Sequence, residues 1–424
     1  MGTQSLRIVV SGLIAQHPWM GGVAWDYVQY VVGLAELGHD VYYLEDSGEW
    51  PYTIDGGPTG HDWTAQDCSF HVERLARVME RFGLADRWAY RYPVKPRWYG
   101  LPAVKRREVL RSADLLLNIS GTLKRPADYR DVRRFAYIDS DPVFTQVKLA
   151  AGRGQRKFQK RVAAHDVHFT FGETLPATFG GTYRWRPTRQ PVVLSQWDWR
   201  TAYREVRSTV MSWTSYPPLK HAGTSFGQKD VEFGRFLRLP QHVRPATMEV
   251  ALSRLARPST LAISLKRMRQ SAVESGGFEG AEREDETPTD AGAAALLRHS
   301  GWAVVDPVEV CGDLDTYRNY VQSSKAEWSV AKNGYVRGKS GWFSCRSACY
   351  LAAGRPTIVQ STGFEAVLPV GQGILPFTTM EEAVEAVHEV EGHYDLHARA
   401  ARAIATEYFD AKKVLNRLLE DAFT

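Results

Sequence analysis

Short apolar runs recur along this chain, each followed by a loop and then by a segment with a helical apolar period. Leu6 to Val10 is such a run and reads as a buried strand. The loop 11–22 follows, and then Ala24, Val28, Val31, Val32 and Ala35 mark one face of a helix that Gly38 ends. Val41 to Leu44 is the next strand. This opening is a strand–helix–strand unit, which implies parallel strands and a ligand crevice at their carboxyl ends.

The first half continues with a helix over 70–82 and strands at Leu115–Ile119, Phe135–Ile138, His168–Phe171 and Val192–Leu194. Residues 46–67 read as a long binding loop. Residues 87–111, with Trp98 and Tyr99 between charges, read as a solvated basic face. Residues 197–207 are polar and aromatic and read as a linker, after which the grammar restarts. Thr209–Trp213 and Met248–Leu252 are strands, with a helix over 230–237 between them. Residues 271–294 are acidic and of low complexity, a flexible surface insertion. Trp302–Val305 is a strand, 317–322 a helix, Leu375–Phe377 a strand, and 380–390 and the tail 397–422 are helical.

The densest pattern is SVAKNGYVRGKSGWFSCRSACYLAAGRPTIVQSTGFE, residues 329–365. A strand ends near Ala331 and a loop carries Lys332, Arg337 and Lys339. A helix opens at Ser344, with Ser344 suited to cap it and Gly354 suited to a left-handed end. Thr357–Gln360 is the next strand. The opening turn, with Cys345, Arg346 and Ser347, presents unpaired N–H groups and a partial positive charge. Together with Lys332 it forms a seat for a diphosphate; an ordinary strand–helix–strand unit is the plainer reading.

Composition narrows the class. The 424 residues suit two domains, and the 44% hydrophobic fraction fills large cores. A net charge of +5, from 53 basic and 48 acidic residues, favours small anionic ligands and gives no reason to expect a nucleic-acid partner. Cys68, Cys311, Cys345 and Cys349 are too few for a secreted disulfide scaffold and read as packing residues. No apolar run reaches the ~18 residues of a membrane span. With a strand beginning almost at once, the cytoplasm is the expected compartment.

His17 and Asp26, in and just beyond the first loop, are candidate bases, although a solvent-exposed loop histidine is the simpler reading of the first. Asp139-Ser140-Asp141, after a strand, has hard oxygen ligands at a spacing that can hold a divalent cation. The basic helix opening downstream can neutralise a diphosphate without metal, so no metal and no cofactor are expected.

Residues 8–46, IVVSGLIAQHPWMGGVAWDYVQYVVGLAELGHDVYYLED, and 341–369, GWFSCRSACYLAAGRPTIVQSTGFEAVLP, together resemble nucleotide-sugar glycosyltransferases of the GT-B architecture. The likeness runs over nearly the whole chain and is strongest to a bacterial group. It implies α/β architecture with two Rossmann-like domains facing across a cleft. An acceptor domain would span 1–196, a donor domain 208–395, and helices 396–424 would pack back on the first. The donor would be a UDP- or dTDP-hexose or deoxyhexose, and the acceptor a small molecule or glycan. Donor contacts would come from Gly12, Trp213, Ser215, Tyr216, Asp306, Lys332, Ser344, Cys345, Arg346 and Ser347. A base would come from His17, Asp26, Asp139, Asp141 or Glu173. Retaining members of the family carry two glutamates whose places here are taken by Gly341 and Cys349. That departure leaves stereochemistry open, with Glu365 a further carboxylate nearby. It also keeps two alternatives alive: a GT-B-shaped binding protein without turnover, and a metal-dependent transferase using Asp139-Ser140-Asp141.

Overall fold

The computed structural model describes residues 5–53, 65–179, 181, 183–212, 217–252 and 290–424. Two sheets organise it. The first holds eight strands: β1 (Arg7–Ser11), β2 (Asp40–Glu45), β3 (Trp88–Tyr92), β4 (Arg97–Gly100), β5 (Leu115–Ile119), β6 (Phe135–Asp139), β7 (Val167–Thr170) and β8 (Trp185–Pro187). Their order is β4-β3-β2-β1-β5-β6-β7-β8, and every pair is parallel except β3 with β4. In the second half β9 (Arg204–Met211) is followed by the hairpin β10 (Leu219–His221) and β11 (Thr224–Phe226). The remaining strands are β12 (Thr247–Leu252), β13 (Ala303–Val305), β14 (Ser324–Ser329), β15 (Thr357–Gln360) and β16 (Ile374–Phe377). The second sheet runs β13-β12-β9-β14-β15-β16, all parallel.

With the antiparallel edge strand β4 set aside, both sheets therefore share the doubly wound order in which the third, second and first parallel strands are followed outward by the fourth, fifth and sixth. The order reverses beside β1 in one sheet and beside β9 in the other. Side chains at the carboxyl ends of those strands are where ligands bind in such sheets. Strands buried on both faces need continuous apolar runs. Leu115, Leu116 and Leu117 in β5 are fully buried, as are Ile8 and Val10 in β1.

The two halves are locked together. Trp25, on the helix Gly21–Glu36, donates from Nε1 to the carbonyl of Leu314 at 2.9 Å. Gly21 and Gly22 open that first helix against the helix Leu314–Ser323 of the second half. A Cβ on Gly21 would run into the backbone carbonyl of Asp313, and one on Gly22 would lie 2.9 Å from the Tyr317 ring. The last helix, Ala411–Phe423, returns to the first. Gly33 leaves room there for Leu415 and Ala411. Val192 is bonded there through both backbone groups, its N donating to Phe409 O and its carbonyl accepting from Ala411 N.

Several expectations need correcting. The stretch 87–111 is a solvated face chiefly over its helix Ala103–Ser112. Trp88, Tyr90 and Tyr92 are buried in β3, and Trp98 in β4 takes the Arg106 guanidinium over its ring at 4.1 Å. The charges that suggested solvent sit on the antiparallel edge strand and on the helix Ala103–Ser112. Val192–Leu194 is not a strand of the sheet, since only Val192 bridges, to Asp410, before a 3-10 turn at Leu194–Gln196. The loop read after Ala331 contains the helix Asn333–Gly338, too short and glycine-rich to show a period. β9 opens at Arg204, inside the stretch read as a linker. The acidic insertion lies outside the described residues up to 289, and 290–294 begin the helix Asp290–His299.

Candidate active site

One cavity of about 770 Å3 lies between the carboxyl ends of the two sheets, at both reversal points. The first half lines it with His17, Trp19, Met20, Val23, Asp26, Tyr52, Ser120, Ser140 and Phe171. The second half contributes Met211, Ser212, Lys229, Asp306, Lys332, Trp342, Ser344, Cys345 and Arg346. Ser120 and Ser140 share a hydrogen bond of 2.5 Å at the ends of β5 and β6. Ser120 holds a positive φ of 57°, and Val143, just past Pro142, one of 70°. A β-branched residue in that region is strained, and the hydrogen bonds of Val143 N to Gln146 Oε1 and of Thr145 and Gln146 to Asp139 hold the turn in that shape beside Ser140.

The helix Cys345–Ala352 points its opening turn at the cavity, as its apolar face is buried behind it through Ala348, Tyr350 and Leu351. Three cations of the second half gather in front of it. Lys229 opens the helix Lys229–Arg235, and the apolar surroundings push its ammonium pKa well below the usual lysine value. Lys332 donates to the Asp141 carboxylate at 2.9 Å, across from the first half. Arg346 is pinned: Nε donates to the buried Glu327 carboxylate at 2.7 Å and a terminal nitrogen to the Val210 carbonyl at 2.5 Å.

Opposite these cations stands Asp26. Burial raises its carboxyl to about 7, while a hydrogen bond with Cys345 and the charge of Arg346 pull the other way. It thus stands within reach of the opening turn from the other half. His17 is held near 4 by burial, so its imidazole is neutral at physiological pH. Its ring stacks on Tyr52 at 4.7 Å.

The other expected residues fall differently. Asp139 is buried and accepts from Asp141 N, Thr145 Oγ1, Gln146 Nε2 and Thr170 Oγ1, so its carboxylate braces the turn rather than facing the cleft. Asp141 meets Lys332 and the Tyr335 hydroxyl. The Asp-Ser-Asp carboxylates are thus engaged by protein donors. Among the described residues no three His, Cys, Asp or Glu side chains gather as metal ligands. Glu173 is away from the cavity, bound to Arg189 at 2.8 Å. Gly12 is packed under the rings of Tyr27 and Tyr43 and does not line the cavity. Ser344 lines the cavity, but its side chain does not cap the helix. Ser347 is buried behind that helix, against a small void beside Phe364 and Val359. Trp213, Ser215 and Tyr216 lie outside the described residues. Gly354 has the left-handed φ of 66° expected of it. Lys229 was missed, because it sits among polar loop residues with no pattern to mark it.

No protein-family model and no curated protein matches the sequence. Solved structures match its shape from end to end. An alpha-glucosyltransferase in complex with UDP superposes at a TM-score of 0.58 with 12% identity, over 99% of this chain and 100% of that one. The HepE protein of Anabaena in complex with UDP-glucose gives 0.55 and 11%, over 98% of both chains. The chain has the GT-B fold. A third GT-B structure, an alpha-glucosyltransferase in complex with UDP-glucose and DNA containing an abasic site, gives 0.55 and 12%, over 99% and 100%. It corrects the expectation that nucleic acid is no partner, because a GT-B chain matched over its whole length is there complexed with DNA. Mild net charge was a poor guide, since a whole-chain sum hides how charges are distributed on a surface. Among the described residues no helix is long and apolar enough to cross a membrane.

Proposed function

We propose that this chain is a glycosyltransferase that moves a sugar from a nucleoside-diphosphate sugar to an acceptor hydroxyl in the cleft. The observation that carries the reading is the pairing across one cavity of an anion seat with a carboxylate of pKa about 7. The helix opening at Ser344, Lys229 and Lys332 supply positive charge where a leaving diphosphate develops negative charge. The sugar C1–oxygen bond to the diphosphate breaks and a C1–oxygen bond to the acceptor forms. The acceptor proton passes to Asp26, whose pKa suits a general base near neutrality. Asp306 contributes to the nucleoside end, its carboxylate already fixed by the Val308 N–H at 2.9 Å. The similar structures that carry UDP and UDP-glucose support a UDP-sugar over other donors.

A second reading of the acceptor, a group on DNA, is supported by the DNA-bound structures of the same fold. The test is calorimetric titration with UDP and dTDP, followed by turnover assays with UDP-sugars in the presence of small acceptors and of duplex DNA. UDP binding with sugar transfer sustains the proposal. Binding without transfer or hydrolysis leaves a nucleotide-binding protein, and no binding removes the proposal altogether.

A further inference from the structure

The wall of the cavity built by the first half is aromatic and held rigid from behind. His17 stacks on Tyr52 with ring centroids 4.7 Å apart, and Trp19 stacks on Phe70 at 4.4 Å. His17, Trp19 and Tyr52 all line the cavity. The segments that carry them are held by hydrogen bonds and charge behind the wall. The buried Glu45 carboxylate accepts the backbone N–H groups of Ala15 and Gln16 at 2.8 and 2.7 Å and the Tyr43 hydroxyl at 2.8 Å. Tyr52 N donates to Gln16 O at 3.0 Å, and His71 Nε2 meets Tyr52 O at 2.8 Å. The Arg74 guanidinium covers the rings of Trp19 and Phe70 at 6.0 and 5.9 Å.

Charge is distributed unequally around the cavity. Every lysine and arginine among its described lining residues comes from the second half; the first half offers only the Asp26 carboxylate. The first half's share of the lining thus presents a carboxylate and no cation, which suits an uncharged acceptor group better than an anion. His17 Nδ1 is buried and has no hydrogen-bond partner. Burial keeps that ring neutral, so it offers one hydrogen bond to an uncharged group rather than a charge to an ion.

We infer that the acceptor presents a flat, uncharged ring bearing a hydroxyl, which stacks on the Trp19, His17 and Tyr52 wall and turns its hydroxyl toward Asp26. This rests on the transferase reading above for the role of Asp26, but the stacking stands on the wall alone. Such a ring has two sources, a free aromatic aglycone or a hydroxymethylated base turned out of a duplex. Both have a π-face, and neither places a phosphate inside the cavity.

The test titrates the full chain with a hydroxycoumarin, a duplex carrying hydroxymethyluracil and methyl glucoside, each with and without UDP. One of the flat rings binds and methyl glucoside does not. Trp19→Ala weakens the flat ring by about tenfold, the loss expected of one aromatic stack, and leaves the UDP affinity unchanged. Trp19→Phe restores most of it, whereas Trp19→Leu, apolar but not flat, does not. Binding of the hydroxycoumarin or of the duplex identifies the source. Binding of neither, or equal affinities in wild type, Trp19→Ala and Trp19→Leu, overturns the inference. If UDP fails to bind while a flat ring still depends on Trp19, the donor reading falls and this inference stands.

Discussion

The Asp141 carboxylate, on the turn after β6, holds the Lys332 ammonium of the other half at 2.9 Å. Both side chains are partly exposed, at 29% and 20%. The pair therefore ties one half to the other with a cation that a diphosphate would also use. A partly exposed pair contributes up to about 1 kcal/mol. Asp141→Asn should release Lys332 and tighten UDP binding by up to about fivefold. Lys332→Met should weaken it. Titration calorimetry of the two variants beside wild type checks both, and an Asp141→Asn protein that binds UDP more weakly refutes the competition.

Asp26→Asn should lower kcat by about a hundredfold or more while leaving the UDP affinity unchanged, since the lost group takes a proton from the acceptor. In wild type the limb of kcat/KM set by this group should rise with pH and level off above about 7. Linkage gives a second readout. The folded pKa lies above the unfolded one, so the unfolded chain releases this proton first. Stability from this group is intact below the unfolded value and is lost as pH rises toward 7. Asp26→Asn should melt like wild type at pH 4 and above it at pH 8.

Arg346, expected from the sequence to contact a phosphate, is paired in the fold with Glu327 at the edge of the cavity. Its partner Glu327 is fully buried and Arg346 itself is 12% exposed. Arg346→Ala would strand a buried carboxylate, at a cost of about 3 to 5 kcal/mol. A large fall in Tm is expected, with Glu327→Gln in the same chain recovering much of it. If Arg346→Ala melts like wild type and loses UDP affinity, the guanidinium serves the ligand instead.

How much could be read beforehand follows from what each signal measures. β5 and β15 fall on the expected residues, because Leu115–Ile119 and Thr357–Gln360 are bounded apolar runs. The two doubly wound halves were legible through the same rule. Within the site, His17, Asp26, Lys332 and Ser344 could be placed near the cleft from their positions after strands. Asp139 could not be told from them, because only the fold brings Thr145, Gln146 and Thr170 onto its carboxylate. For Arg346 the sequence left two roles open, a phosphate contact or a pair with Glu327 or Glu365; the fold makes the Glu327 pair, 19 residues away on the neighbouring strand, while Arg346 still lines the cavity.

Lys229 gives the donor side its own signature. Its pKa is pushed well down, first by burial, and a bound diphosphate would push it back up. At a pH between the free and bound values UDP binding should therefore take up protons, and the enthalpy measured there should vary with the ionisation enthalpy of the buffer. Lys229→Met should abolish that dependence and weaken UDP binding by about tenfold. Buffer-independent heats in wild type would show that Lys229 stays charged throughout.

Gly21 bears on how fast such a protein can work. Its missing side chain lets the carbonyl of Asp313 rest on the start of the first helix, so the two halves meet there through main chain, which cannot rotate aside as a side chain can. In the transferase proposed above, nucleotide exchange would wait for that seam to part. Gly21→Ala should prop it ajar, giving a larger radius of gyration in solution scattering, quicker loss of UDP and weaker retention of the donor. A single methyl group would trade residence time for turnover.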